Sequence, residues 1–354
     1  LLVGRVLCTR IYWRCLMRLV IVSIDKKALI LGVILRLNYS GALPERVGFL
    51  LLPRFSMMAF FSAVEPLRIA NRISGQTLFE WTLFSCDGEP VTASNGMTLL
   101  VDQTMGGGLD LPSLAVCSGF EPEDHLSRAL ISWLHRLDQA GCALGGLDTG
   151  GFILAAAQLL KGERVTLHWE SLPVFRERFP TIETTDELFE IGERRFSCAG
   201  GAAAMDMALA VIARRHGSKL AVDVSEQLIH ERLRSRSDQQ RMSLAQRLGT
   251  HNRRLVEAVA LMERHLEEPL ALAEIARRSG VSSRQLQRLF EDHLHQTPRQ
   301  WYLSLRLARA KRLLIETDMA ILAVGVACGF GSSSSFSRAF RAHFGSSPRA
   351  LRGA

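Results

Sequence analysis

The chain lacks the residue patterns that would build a metal centre or a disulfide framework. Its seven cysteines, at positions 8, 15, 86, 117, 142, 198 and 328, form no Cys-x-x-Cys pair, and no histidine is spaced to complete a zinc site. That excludes a structural metal and a cofactor held by thiolates, and it points to a reduced, cytoplasmic setting. Long apolar runs are missing as well. Before residue 45, arginine and lysine interrupt every hydrophobic stretch, and the uncharged run 28–35 is too short to cross a membrane. Residues 28–35 would suit the apolar core of a signal peptide. The coherent pattern begins only near Arg46, however, so residues 1–44 are read as an extension outside the fold, non-native or disordered.

What the chain has is charge, and the charge is unevenly placed. Residues 1–44 carry seven basic and one acidic side chain, 45–250 carry 20 and 25, and 251–354 carry 16 and nine. A basic last third on an acidic body suits a phosphate-binding module attached to something that does not bind nucleic acid.

The body alternates buried strands with helices, the pattern of a flavodoxin-like α/β fold with a mostly parallel sheet sandwiched by helices. Strands are expected at 47–53, 79–85, 111–119 and 142–147, with a short strand in 94–102. The helix through 57–72 should turn Met58, Phe61, Val64, Leu67 and Ile69 inward, and another should occupy 121–140, stopped by Gly141. The most informative stretch is GGLDTGGFILAAAQLL (145–160), where a glycine-rich strand end runs straight into a helix of small residues. Its corner residue, Asp148, should point out at the carboxyl edge of the sheet, where ligands bind in open α/β folds. The geometry is that of a nucleophile elbow, but the corner holds a carboxylate. A helix N-terminus should keep that carboxylate ionised, a poor acyl nucleophile and a good contact for a cation.

Residues 231–250 are polar and poor in aliphatics, and they are taken as a linker between a sensor domain at 45–230 and an all-α domain at 251–354. The last domain repeats itself. With Gly280 aligned to Gly329 and one residue inserted, RLFEDHLHQTPRQW (288–301) matches RAFRAHFGSSPRAL (338–351), pairing Arg288 with Arg338, Phe290 with Phe340 and Pro298 with Pro348. One supersecondary unit is used twice. In each, a short helix with a small residue (Ala276, Gly325) leads through a glycine turn into a serine-capped helix, the pattern of two helix-turn-helix units. The first recognition helix turns Ser283, Arg284, Gln287 and Arg288 outward, side chains able to read base edges. The second offers Ser333, Ser334, Ser337 and Arg338, better suited to positioning on phosphate, with Arg341 also on the backbone. The partner implied is double-stranded DNA.

CGFGSSSSFSRAFRAHFGSSPRALR and its surroundings, about 251–352, resemble the AraC/XylS family of transcriptional regulators. Residues 46–217, through FLLLPRFSMMAFFSAVEPLRIAN and LDTGGFILAAAQLLKGERVTLHWE, resemble the class I glutamine-amidotransferase-like (PfpI-type) domain that precedes such modules in the GlxA-like subgroup. The resemblance implies seven helices with two units in adjacent major-groove segments, a homodimer and an RNA polymerase partner. Where catalytic relatives carry cysteine at the elbow this chain carries Asp148, followed by Thr149, and the carboxylate that assists the thiol would fall near Ser62. Both departures argue for no catalytic residue. The same features are similar to regulators that sense arginine, glycine betaine or carnitine, which makes Asp148, Thr149, His168, Trp169 and Glu65 candidate ligand contacts. Glu65 equally suits an ion pair with Arg68. The expectation is a ligand-controlled transcriptional activator. Its rivals are a DNA-tethered amidase or hydrolase and a constitutive DNA binder with a vestigial pocket.

Overall fold

The computed structural model describes residues 43–352 apart from 108, 109, 232, 233 and 318. The reading of residues 1–44 as an extension falls almost entirely outside these residues. Eleven strands and fourteen α-helices are described. The central sheet has the order β10-β11-β7-β6-β1-β2-β5, with β1 at Glu45–Leu51, β2 at Phe79–Ser85, β5 at Gln103–Thr104, β6 at Ser113–Ser118, β7 at Ala143–Asp148, β10 at Phe189–Ile191 and β11 at Arg195–Cys198. Every pairing is parallel except β10 with β11. Strands β1, β6 and β7 are buried along almost their whole length, because helices cover both faces and leave no solvent side for polar residues to alternate onto.

On one face lie α1 (Met57–Ser74) and, much later in the chain, α5 (Ala203–His216) and α6 (Ser218–Gln227). On the other lie α2 (Arg128–Gln139), α3 (Gly150–Ala156) and α4 (Leu172–Arg178). Helix α1 turns Val64, Leu67 and Ile69 inward as expected but departs from the expectation in its first turns. Met58 and Phe61 are exposed, while Met57, Phe60, Ala63, Val64 and Leu67 are buried. With Met57 beside Met58 and Phe60 beside Phe61, either phase satisfies the periodicity, and packing of Phe60 edge-on against Phe49 and Phe55 chooses between them. Helix α2 is shorter than expected, because Ser127 caps it by accepting from the Leu130 N–H and a 3₁₀ turn at Pro122–His125 takes the preceding residues.

From Arg253 the chain is helical: α8 (Arg253–Arg264), α9 (Leu272–Arg278), α10 (Ser283–Leu294), α11 (Pro298–Glu316), α12 (Ile321–Ala327), α13 (Ser333–Phe344) and α14 (Pro348–Arg352), preceded by the short α7 at Leu244–Arg247. Ser282 and Thr297 form full capping boxes with Gln285 and Gln300, and Ser332 caps α13. The chain between the two regions is tied to the sheet region. Arg234 makes two bonds to the buried carboxylate of Asp206, Arg236 pairs with Glu187 and Glu190, and Gln240 reaches Thr166 and Leu167. Among the described residues no helix is long and apolar enough to cross a membrane.

Candidate functional site

Two sites emerge, one at the carboxyl edge of the sheet and one on the helical region. At the sheet edge the ends of four neighbouring parallel strands converge: Ser56 after β1, Ser118 ending β6, Asp148 ending β7 and Gly200 after β11. Asp148 adopts φ +60°, a left-handed conformation that only a few per cent of non-glycine residues take. Close packing leaves the turn no slack. A Cβ on Gly146 would lie 2.4 Å from the Gly151 nitrogen, one on Gly150 would lie 2.1 Å from the Val116 carbonyl, and one on Gly200 would meet the Asp148 side chain. Thr149 Oγ1 donates to the Gly119 carbonyl at 2.6 Å, which fastens the corner to the end of β6.

The Asp148 carboxylate accepts a hydrogen bond from Ser56, whose hydroxyl also caps α1 by accepting from the Ala59 N–H. Burial pushes its pKa up to about 7; the Ser56 bond opposes this and the negative charge of Glu170 reinforces it. The helix-dipole expectation of a carboxylate held ionised is therefore overturned: desolvation outweighs the N-terminus of a helix only seven residues long. Beside it, the Ser118 hydroxyl is fully buried and has no hydrogen-bond partner among the described residues. Burial pushes the nearby thiols the same way, Cys117 far upward and Cys198 to about 12, and Cys142, just before β7, rises to about 12. None of the three is a thiolate near neutral pH, so none supplies the nucleophile the aspartate replaces.

The other candidates lie at different distances from the corner. His168 is half-buried, with its pKa lowered first by burial and then by Arg312, against the opposing charge of Glu170, so its ring is neutral. Trp169 does not present a free face: Arg241 lies 4.3 Å and Arg312 5.5 Å from its ring centroid. Glu65 sits nine residues along α1 from Ser56, about 13 Å by helical rise, and is bonded by Arg68 at 2.6–3.1 Å. Ser62 is buried within α1. Sequence reasoning missed Ser56, Ser118 and Gly200. Ser56 had a local signal as a serine preceding an apolar helix, whereas the other two act only through convergence of distant strand ends.

On the helical region, Ser283, Arg284 and Arg288 of α10 are exposed and Gln287 is half-buried; on α13, Ser333, Ser334, Arg338 and Arg341 are exposed and Ser337 half-buried. The inward positions are Leu286 and Phe290 in one unit, Phe336 and Phe340 in the other. The glycine turns have φ +68° at Gly280 and +73° at Gly329. An arginine from the preceding long helix clamps each turn. Arg254 Nη1 donates to the carbonyls of Ser279 (3.0 Å) and Gly280 (2.8 Å), and Arg306 donates to those of Cys328 (2.8 Å) and Gly329 (2.6 Å). A guanidinium on the carbonyls at a helix C-terminus also complements the dipole there. Neither clamp was legible as part of the repeat, since Arg254 and Arg306 stand at different spacings from their glycines.

Residues 275–354 match the model of a helix-turn-helix domain. Over 300 residues the chain is 50% identical to the HTH-type transcriptional regulator CdhR of Pseudomonas aeruginosa, a match covering 85% of this chain and 89% of that protein. It is 42% identical over 306 residues to the regulator GbdR of the same species, covering 86% and 83%, and 36% identical over 309 residues to the regulator GlxA of Rhizobium meliloti, covering 87% and 95%. Among solved structures, an AraC family transcriptional regulator from Pseudomonas putida aligns with 52% of this chain and all of that one at 31% identity and a TM-score of 0.48. The three Pseudomonas aeruginosa and Rhizobium meliloti relatives are transcriptional regulators. With its tandem glycine-turn units, each presenting a polar recognition face, the chain belongs to the AraC family of helix-turn-helix regulators and is a DNA-binding transcriptional regulator.

Proposed function

We propose that DNA binding by this chain is controlled by a small organic cation held at the Asp148 corner. The observation that carries the reading is a strained, desolvated carboxylate for which no lysine or arginine is a partner among the described residues. A buried carboxyl group without a cation stays protonated up to about neutral pH. A ligand carrying a guanidinium or quaternary ammonium group supplies the missing charge, and arginine, glycine betaine and carnitine all carry one. Thr149 sets the corner, and the neutral His168 donates its one ring N–H to the ligand's carboxylate. Trp169 and Glu65 already have arginine partners and take a secondary part. In this reading the sensor domain spans 45–230, the linker 231–250 and the DNA-binding domain 251–354. The chain acts as a dimer through the sensor domain and activates transcription with RNA polymerase.

Thermal-shift measurements against arginine, glycine betaine, carnitine and dimethylglycine test this. One of them should raise the melting temperature of the full chain, and Asp148→Asn should abolish the shift. No shift with any of the four, or a shift that survives Asp148→Asn, overturns the reading. The pH dependence has a definite sign. Because the folded-state pKa is raised, Asp148 favours folding below its unfolded value and loses that contribution as pH rises toward about 7. A bound cation stabilises the ionised form, so ligand affinity should strengthen between pH 6 and 8 by up to about tenfold per unit.

A further inference from the structure

The segment between β8 (Arg164–Val165) and α4 touches three otherwise separate parts of the molecule. Leu167 packs against Gly151 in α3, where an added Cβ would lie 3.0 Å from its side chain. The Thr166 hydroxyl and the Leu167 carbonyl both accept from Gln240 Nε2, at 2.9 and 3.0 Å, so the chain leading into the DNA-binding region is bonded to the residues just before His168. Next, Trp169 carries Arg241 on its ring, with Arg312 beside it, and Glu170 pairs with Arg312 at 3.3 Å. Arg312 belongs to α11, the helix joining the two helix-turn-helix units. Five residues thus link the corner helix that follows Asp148 to the helix that sets the spacing of the recognition helices.

We infer that Trp169 and Glu170 are positioning residues for DNA binding, which fix α11 and both recognition helices to the sheet edge that carries Asp148, so that the charge state of the corner and the placement of α11 are coupled. The aromatic ring attracts both guanidinium groups electrostatically, and the carboxylate selects Arg312 and fixes which face of α11 is presented. A second contact supports the same attachment. One apolar cluster contains residues of the sheet's α2–α4 face, Phe152 and Phe175 among them, together with Leu307, Leu313, Phe336 and Phe340, whereas the first unit closes a core of its own around Leu255, Met262, Leu286 and Phe290. Communication with the corner is electrostatic and steric. The Glu170 charge acts on both Asp148 and His168, and Leu167 lies against the helix that follows Asp148. Coupling of this kind is reciprocal, so a change at the corner must be felt at Arg312 and the reverse.

Positioning stands apart from any ligand; the coupling rests on the proposed role of Asp148. Hydrogen exchange on the full-length protein separates them. Glu170→Arg and Arg312→Glu should each speed exchange of the α11 amides near residues 305–316 by roughly three- to tenfold. The double exchange of charges should return it to within about twofold of the parent. Trp169→Phe, which keeps an aromatic face, should change it less than Trp169→Ala. Unaltered exchange in α9 and α10 shows that each variant is folded. Single variants that leave α11 unchanged, or a double variant as fast as the singles, overturn the positioning role. Asp148→Asn should change α11 exchange in the parent and not in the Arg312→Glu background. An identical response in both backgrounds, or none in either, overturns the coupling. The thermal-shift test judges the ligand site independently of both results.

Discussion

The two helix-turn-helix units share a plan and differ in what surrounds it. At the positions one turn after the outward residues, α10 carries Glu291 and Asp292, and α13 carries Arg341 and Ala342. In the first unit Gln287 Nε2 donates to Glu291 at 2.5 Å and Arg288 Nε to Asp292 at 3.2 Å, so two side chains expected to read bases are held by acids that repel phosphate. The second helix has serines and a further arginine in their place. Their cores also differ: the first unit's is separate, while the second unit's is continuous with the sheet region. If the first unit reads bases and the second anchors on phosphate, the anchoring unit is the one whose core joins the sheet region. Under the proposed coupling, a change at the sheet edge would reach the second unit directly and the first only along α11.

The largest predicted asymmetry lies in the turns. Both glycines have positive φ, so alanine is strained at either position. At Gly280 the new methyl group meets the end of the Arg254 side chain, which can swing away at the expense of its clamp. At Gly329 it meets the Pro269 ring at 2.5 Å and the Leu266 carbonyl at 2.7 Å, neither of which can move without shifting backbone. Gly329→Ala should cost roughly 2–5 kcal/mol and Gly280→Ala roughly 1–2. Urea titration of the full-length variants measures this, and equal midpoints would erase the steric difference between the turns.

Next in size is the readout itself. Arg288→Ala should lose about 1–3 kcal/mol of discrimination at one base pair and flatten sequence preference there, whereas Arg338→Ala should weaken all sequences by similar factors and lower the salt slope by about one. Binding selections from randomised duplexes at two salt concentrations distinguish these outcomes. A loss of base preference from Arg338→Ala would show that both units read sequence.

Much of this was legible in the sequence. The strands β1, β6 and β7 carry short continuous runs of apolar and small residues, β2 is rich in aromatics, and the capping boxes at Ser282 and Thr297 are local signals, so these elements stand in the structure with little change. Of the two-residue strands, β4 (Thr98–Leu99) lies within the expected 94–102 stretch, whereas β3 (Val91–Thr92), β8 and β9 (Glu183–Thr184) had no such signal, because their conformation comes from neighbours and not from their own pattern. Asp148 was found from glycine spacing alone, but its protonation was misjudged, since desolvation depends on the four strand ends that close around it. Trp169 was found as an aromatic beside a histidine. That its ring faces Arg241 and Arg312, 72 and 143 residues away in sequence, is a property of the packing.

The smallest effect tests the acids of α10 directly. If Glu291 and Asp292 temper nonspecific phosphate contact, Glu291→Gln with Asp292→Asn should raise affinity for random duplex by roughly two- to threefold at low salt, and less at physiological ionic strength, where exposed charges are screened. Affinity for the selected sequence should rise by a smaller factor, because Arg288 has already left Asp292 for its base in that complex. The specificity ratio therefore falls even though both affinities increase. If α13 only anchors, placing the same acids in the second unit, as Arg341→Glu with Ala342→Asp, should weaken both kinds of duplex together. If the first pair of substitutions raises specific and nonspecific affinity equally, the acids of α10 are only solvated charges, and the division between a reading unit and an anchoring unit then rests on Arg284, Gln287 and Arg288 alone.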